Sequence, residues 1–160
     1  MPRIDIAAAP ERNGTAYPAP FDAPCRDRQR RRLGNAAGLT QFGVNRLVLA
    51  PGCWSSQRHW HKAEDEFVWV VSGEVVLIEN DGETVLKAGD CAGFPKGVAN
   101  GHHLVNRSSE PAVILEVGGR APDQDAVDYP DIDLMIAGDG DTSYRRKDGT
   151  PYDTSSGRVT

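Results

Sequence analysis

The chain has 160 residues, a length typical of one domain with a single sizeable hydrophobic core. Its 17 glycines and 11 prolines favour short strands separated by turns over long helices, and so predict an all-β fold. A formal net charge of -5 excludes a field that would attract nucleic acid or an anionic membrane surface, so neither is expected as a partner.

The location and redox state of the chain are predicted from apolar runs and cysteines. The sequence has no apolar run of signal-peptide or membrane-spanning length, which predicts a cytoplasmic protein. Cys25, Cys53 and Cys91 are odd in number and widely spaced. This pattern fits neither a disulfide framework nor a cysteine zinc site, and we interpret the three as reduced packing residues.

Residues 1–38 mix Pro, Ala, Gly and charged residues without a sustained period. They predict an extended N-terminal arm rather than a packed element. The arm contains a cluster of arginines, namely Arg26, Arg28, Arg30, Arg31 and Arg32. Because Asp27 interrupts the cluster and the whole chain is acidic, we expect a solvated or intersubunit face rather than a nucleic-acid site.

Residues 39–119 contain short apolar runs separated by turn dipeptides, a pattern typical of successive antiparallel strands. The candidate strands are Phe42–Leu49, Ser56–His61, Glu66–Val71, Glu74–Glu79, Glu83–Leu86, Cys91–Phe94, His102–Asn106 and Ala112–Val117. Eight short strands fit a jelly-roll barrel. The run Phe67–Val71 is apolar throughout, which predicts a strand covered on both faces.

Residues 120–160 form a tail rich in Asp, Gly and Arg, too polar to build a core of its own. We expect the tail to lie on the barrel or to be mobile. Its one apolar patch, at Ile132, Leu134, Met135 and Ile136, could dock on the barrel or across a subunit boundary.

A first cluster of candidate ligands joins two predicted strands. His59 and His61 stand two apart, so their side chains share one face of a strand and can converge on one ion. Glu66 begins the next strand and can return a carboxylate to the same face. Nitrogen and oxygen donors together suit a borderline divalent metal.

A second cluster follows a glycine turn. It comprises Gly89, Pro95, Gly97, His102, His103 and Asn106. His102 and Asn106 share a strand face by parity, whereas His103 lies on the other. One such histidine, added to the first cluster, would complete a shell of three histidines and one carboxylate that leaves positions for water or substrate.

Together the two clusters resemble the paired motifs of the cupin superfamily. The first motif falls on Gly52, His59, His61, Glu66 and Gly73, and the second on Gly89, Pro95, Gly97, His102 and Asn106. More closely, Glu64–Val68, Gly101–Asn106 and Lys147–Tyr152 are similar to segments of a largely uncharacterised group of small bacterial cupins. The resemblance implies a double-stranded β-helix with a metal at its open end, and a metal-ligand set of His59, His61, Glu66 and His102.

Two departures from the family motifs leave alternatives open. The spacer before His59 is one residue longer than usual, and Asn100–Gly101 lengthen the gap before His102, so Asn100 stands where the usual spacing has the histidine. Parity favours His102 over His103 as the fourth ligand. Glu64 and Asp65 compete with Glu66, which is favoured because six residues then separate it from the motif glycine Gly73.

Two functions are compatible with such a site. The first is a metal-dependent enzyme that acts on a small polar organic molecule in the barrel mouth, with Fe, Mn, Zn or Ni as the divalent ion. The second is a non-catalytic cupin that binds or senses a sugar-like small molecule. In either case we expect a homodimer, because the sheet edges and the apolar patch of the tail need cover.

Overall fold

The computed structural model describes residues 3–152, and the outermost ends of the predicted arm and tail lie outside these residues. The described chain is almost entirely strands and turns, which confirms the all-β prediction. The elements are β1 (Glu11–Asn13), β2 (Gln29–Arg32), α1 (Leu33–Ala36), β3 (Phe42–Leu49), β4 (Trp60–His61), β5 (Glu66–Ser72), β6 (Glu74–Glu79), β7 (Gly82–Lys87), β8 (Cys91–Phe94), β9 (His103–Val105), β10 (Ala112–Gly119), β11 (Val127–Tyr129) and β12 (Leu134–Ile136). Within residues 3–152, no helix is long and apolar enough to cross a membrane.

Two antiparallel sheets face each other around the main core. One has six strands in the order β1-β2-β3-β10-β5-β8, and the other has three in the order β7-β6-β9. Apolar residues at alternate positions of their strands point between the two sheets. Among them, Leu47, Val70, Val75 and Ile114 are fully buried. We call this cluster the barrel core. It confirms the predicted jelly-roll barrel.

The predicted strands are recovered with one clear exception. The bounds of β3, β6 and β8 are those predicted, and most others differ by one or two residues. The predicted strand Ser56–His61 shortens to Trp60–His61, because the backbone before it bonds to other segments. Ser55 N donates to Leu104 O at 2.8 Å, and Gln57 N donates to the hydroxyl of Tyr17 at 3.3 Å.

The N-terminal arm is extended, but it also packs. Strand β2 pairs with β3 and β1 pairs with β2, so the arm adds two strands to the edge of the large sheet. The register places Arg30 and Arg32 opposite Leu47 and Asn45 on the inner face of the sheet. Sequence periodicity missed these strands because their inward positions carry charged side chains instead of apolar ones.

The described part of the tail lies against the barrel. Strand β11 pairs with β4 and with β12, and the three form a small separate sheet. The apolar patch of the tail docks within its own chain, with Leu134 fully buried. Arm and tail together build a second hydrophobic cluster around Tyr17, Cys25, Val127, Tyr129 and Leu134, which we call the arm–tail core.

The outer face of β5 differs from its prediction. Phe67, Trp69 and Val71 are exposed, Trp69 by 47%. The prediction of cover on both faces is therefore wrong for the single chain. An apolar run shows that both faces of a strand avoid water, and it does not say whether the cover comes from the same chain or from another copy.

Candidate metal centre

Four side chains converge at one end of the barrel from three chain segments. His59 and His61 come from the stretch that ends in β4, Glu66 from the start of β5, and His102 from the residue before β9. The backbones of His59 and His102 exchange two hydrogen bonds, at 3.2 and 2.9 Å, which holds these two segments together. The structure thus places all four predicted ligands side by side.

The three imidazoles surround one carboxylate oxygen. The Nε2 atoms of His59, His61 and His102 lie 3.6, 3.5 and 3.0 Å from Oε2 of Glu66. Donor atoms of His59, His61 and Glu66 lie close enough together to hold one ion. Two imidazole nitrogens and one carboxylate oxygen thus have the spacing of a single-ion site, which suits a borderline divalent metal, and His102 adjoins them through its contact with Glu66.

The other ring nitrogen of each histidine is held by an acceptor behind it. Nδ1 of His59 donates to the carbonyl of Gln57 at 2.9 Å, and Nδ1 of His102 donates to the carbonyl of Asn100 at 3.1 Å. Because a carbonyl only accepts, each of these two Nδ1 atoms carries a proton. His59 thereby presents its Nε2 lone pair to the centre, whereas Nε2 of His102 is in hydrogen-bond contact with Glu66. Histidines that bind metals are commonly oriented in this way.

Asp125 does the same for His61. Its Oδ2 lies 2.5 Å from Nδ1 of His61, and its Oδ1 accepts a hydrogen bond from Ala63 N at 2.8 Å. Burial acts to raise the pKa of Asp125, but these hydrogen bonds outweigh it and lower the pKa, so the carboxylate is ionised. Sequence reasoning missed Asp125, because a single Asp in an Asp-rich tail carries no local signal.

Burial and mutual interaction fix the charge states at the centre. Burial lowers the pKa of His59 to about 4, which keeps its imidazole neutral near pH 7. Burial alone would raise the pKa of Glu66, but the hydrogen bond from His102 and the neighbouring imidazoles lower it to about 2. A neutral imidazole and an ionised carboxylate are the forms that bind a metal ion.

The alternative carboxylates have other partners. Asp65 is exposed and its Oδ1 accepts a hydrogen bond from Lys96 N at 2.8 Å. Oε1 of Glu64 accepts a hydrogen bond from Ala121 N at 2.5 Å. Glu64 also forms a second acidic group with His61 and Asp125. The geometry therefore favours Glu66 as the carboxylate ligand.

His103 points away from the four converging side chains. Its ring packs edge-on against Trp54 with centroids 4.5 Å apart, and burial lowers its pKa to about 4. The inserted Asn100 stabilises the loop before His102, since its side chain donates to Glu79 and accepts from the backbone of Asn80. The alternation of side chains along the strand thus gives the observed directions of His102 and His103 despite the insertion.

A cavity of about 570 Å³ opens beside the centre and is lined by His59, His61, Glu66 and His102. Arm arginines Arg28, Arg30 and Arg32 also line it. The prediction of a solvated or intersubunit arginine face is wrong for Arg28, which is only 6% exposed. The alternation of strand β2 turns Arg30 and Arg32 inward as well.

Comparison with known proteins identifies the family to which this architecture is similar. The family model for the cupin domain matches residues 45–118, which contain all four predicted ligands. A comparison with curated proteins finds no match.

Solved structures extend the likeness beyond the barrel. A sugar phosphate isomerase of a cupin superfamily from Silicibacter pomeroyi is 43% identical, with 95% of this chain and 97% of that chain covered and a TM-score of 0.88. A protein from Acidithiobacillus ferrooxidans, provisionally described as a sugar phosphate isomerase, is 31% identical, with 79% and 80% covered and a TM-score of 0.70. A predicted oxalate decarboxylase from Thermotoga maritima shares the fold at 24% identity, with 58% and 80% covered and a TM-score of 0.51. The chain belongs to the cupin superfamily.

Proposed function

We propose that this chain is a metal-dependent isomerase of a phosphorylated sugar. The observation that carries the proposal is the arrangement of three Nε2 atoms around one oxygen of Glu66 on the wall of a cavity large enough for a small metabolite. The similar protein from Silicibacter pomeroyi supports the substrate class, since it is called a sugar phosphate isomerase.

His59, His61, Glu66 and His102 are proposed to hold one divalent ion, either Fe, Mn, Zn or Ni. The ion would supply polarisation of a substrate carbonyl oxygen. The chain itself would orient the imidazoles through Gln57, Asn100 and Asp125. Elemental analysis should find about one divalent ion per chain, and a His59→Ala/His61→Ala variant should lose it.

Isomerisation between an aldose and a ketose moves one proton between adjacent carbons and a second between their two oxygens, and a carboxylate can carry the first. Apart from Glu66, the cavity is lined by Glu64 and Glu116. Glu116 is held by the guanidinium of Arg30 at 2.8 and 2.9 Å. Glu64 has only Oε1 bound to the backbone, which leaves Oε2 to take the proton. We therefore assign the proton transfer to Glu64.

The test is an assay of aldose–ketose interconversion with a panel of sugar phosphates of different length. Turnover by the parent should be lost in the His59→Ala/His61→Ala variant. Glu64→Gln should lower kcat by about a hundredfold or more and leave the metal content unchanged. Saturable binding of a sugar phosphate without turnover would favour the non-catalytic cupin instead.

A homodimer and a cytoplasmic location complete the proposal. The exposed side chains Phe67, Trp69 and Val71 lie in one row on the outer face of the large sheet, and a second copy would give that strand the cover its apolar sequence predicts. Light scattering should give the mass of two chains, and Trp69→Glu should give the mass of one. The free thiols of Cys25, Cys53 and Cys91 accord with a reducing compartment.

A further inference from the structure

The two faces of strand β2 differ in the residues that lie opposite their arginines. On the outer face, Arg31 is paired in register with Glu11, and the two form an ion pair at 2.5 Å. On the inner face, Arg30 is paired in register with Arg12. Like charges opposite each other in a sheet are destabilising. Arg31 also lies opposite Arg46 of β3, but it has Glu11 on its other side, whereas Arg30 has no carboxylate opposite it on either neighbouring strand.

Most of the positive charge on the inner side has no carboxylate partner. Arg30 is bound to Glu116, but within residues 3–152 neither Arg12 nor Arg32 forms an ion pair. Both line the cavity. Burial raises the pKa of Tyr144, which also lines the cavity, and the charges of Arg28, Arg12 and Arg30 oppose that rise.

Arg28 and Arg120 add positive charge, and their guanidinium groups are hydrogen-bonded only to neutral groups. Arg28 is 6% exposed and donates to the carbonyls of Gly14 and Ser55 and to the hydroxyl of Thr15. Arg120 donates to the carbonyl of Leu39 and to the side-chain oxygen of Asn35. Arg120 is exposed, but Arg28 is buried, and a buried guanidinium without a counter-ion is costly. An anion in the cavity would lower that cost.

The sheet register sets the distance from these arginines to the metal centre. Arg32, Asn45, Glu116 and Val68 lie side by side across four neighbouring strands. Three interstrand steps of about 4.8 Å separate β2 from β5, where Glu66 lies on the same face as Val68. The next row contains Gly43 and Gly118 beside Glu66. A Cβ at Gly43 would lie 3.6 Å from Nε of Arg120, so the missing side chain leaves room for that guanidinium.

We infer that Arg12 and Arg32, supported by Arg28 and Arg120, form an anion subsite that holds the phosphate group of the substrate while its sugar end reaches the metal centre. A planar guanidinium donates two parallel hydrogen bonds to a phosphate, which makes arginine suited to this group. The identity of the ligand as a sugar phosphate rests on the proposed function. The anion subsite itself rests on the uncompensated charge.

Calorimetric titration of the full chain, as purified with its metal, with inorganic phosphate tests the subsite. The double variant Arg12→Gln/Arg32→Gln should raise the Kd for phosphate at least about tenfold. The matched control is Arg31→Gln, on the opposite face of the same strand, which should change the Kd less than about twofold. Unchanged phosphate affinity in the double variant, or no phosphate binding by the parent, overturns the inference.

Two further titrations distinguish phosphate binding by the arginines from phosphate binding by the metal and from general anion binding. The His59→Ala/His61→Ala variant should still bind phosphate, and loss of binding there would assign the anion to the metal instead of the arginines. Acetate should bind more weakly than phosphate, and equal binding would contradict the assignment of a phosphate subsite. Absence of isomerase activity with intact phosphate binding would overturn the proposed function and leave the subsite standing.

A chemical measurement covers the case in which the double variant does not fold. Phosphate should protect Arg12 and Arg32 of the parent from an arginine-specific dicarbonyl reagent, as read by mass spectrometry, whereas Arg31 and Arg46 should react at the same rate with and without phosphate. Equal modification of Arg12 and Arg32 in both conditions would overturn the subsite.

Discussion

The barrel core and the arm–tail core contribute differently to the candidate site. The barrel core is built from alternating aliphatic residues of two sheets, and the strands around it present His59, His61, Glu66 and His102. The arm–tail core is built from aromatic residues that are far apart in sequence, and it lies behind those ligands. The ring of Tyr129 stacks on His59 with centroids 5.7 Å apart. The barrel thus supplies the proposed ligands, while the tail holds the ring of His61 through Asp125 and covers that of His59 through Tyr129.

The largest expected effects come from opening each core in turn. Leu47→Ala in the barrel core and Leu134→Ala in the arm–tail core each remove a fully buried side chain and should each cost about 2 to 5 kcal/mol of stability. Only Leu134→Ala should also weaken metal binding, because it loosens β11, which carries Tyr129 and follows Asp125 in the chain. Denaturant unfolding combined with metal titration checks both. Equal loss of metal affinity in the two variants would remove the distinction between the cores.

A smaller loss is expected where the tail meets the loop before His102. A side chain at Gly101 would place its Cβ 2.8 Å from Cγ of Pro130, too close without a shift of the tail. Gly101→Ala should therefore lower stability by about 1 to 3 kcal/mol. Gly52→Ala would not serve as a control, because the positive φ of Gly52 would itself strain an alanine. The control is Ala99→Gly, a change in the same loop. Unfolding by heat measures both, and a neutral Gly101→Ala would show that this contact is not tight.

The orienting role of the tail is tested by Asp125→Asn. The amide keeps the shape but loses the charge that holds the ring of His61, so metal affinity should fall about 10- to 100-fold. Asp128→Asn, in the same tail and paired with the exposed Lys147, is the matched control and should leave the affinity unchanged. A metal titration that returns the same affinity for Asp125→Asn and the parent would limit Asp125 to a structural role.

The smallest effect concerns thiol reactivity and leaves stability untouched. Burial raises the pKa of Cys25 in the arm–tail core to about 11, so little thiolate exists there at pH 8. Cys91 is exposed on the barrel. Iodoacetamide at pH 8 should therefore alkylate Cys91 first and Cys25 only after unfolding, as mapped by mass spectrometry. Early alkylation of Cys25 would show that the arm–tail core opens in the native protein.

The sequence predicts the barrel better than the layer around it. Strands such as Phe42–Leu49 alternate in polarity, and the ligand motifs are local, so both can be recognised without the structure. Strand β2 turns arginines inward, and the arm–tail core brings Tyr17 together with Leu134, so neither leaves a local period. Asp125 and the inner face of β2 could therefore be found only once the chain was folded.

The central claim is that one divalent ion is bound by the barrel and oriented by the tail. Anomalous X-ray scattering from crystals of the purified protein, collected at the absorption edge of the metal that elemental analysis finds, tests it most directly. One strong peak per chain is expected, within about 2.0 to 2.3 Å of Nε2 of His59, His61 and His102 and of a carboxylate oxygen of Glu66. A peak between Glu64 and Asp125, or full occupancy in a His59→Ala/His61→Ala crystal, would contradict it.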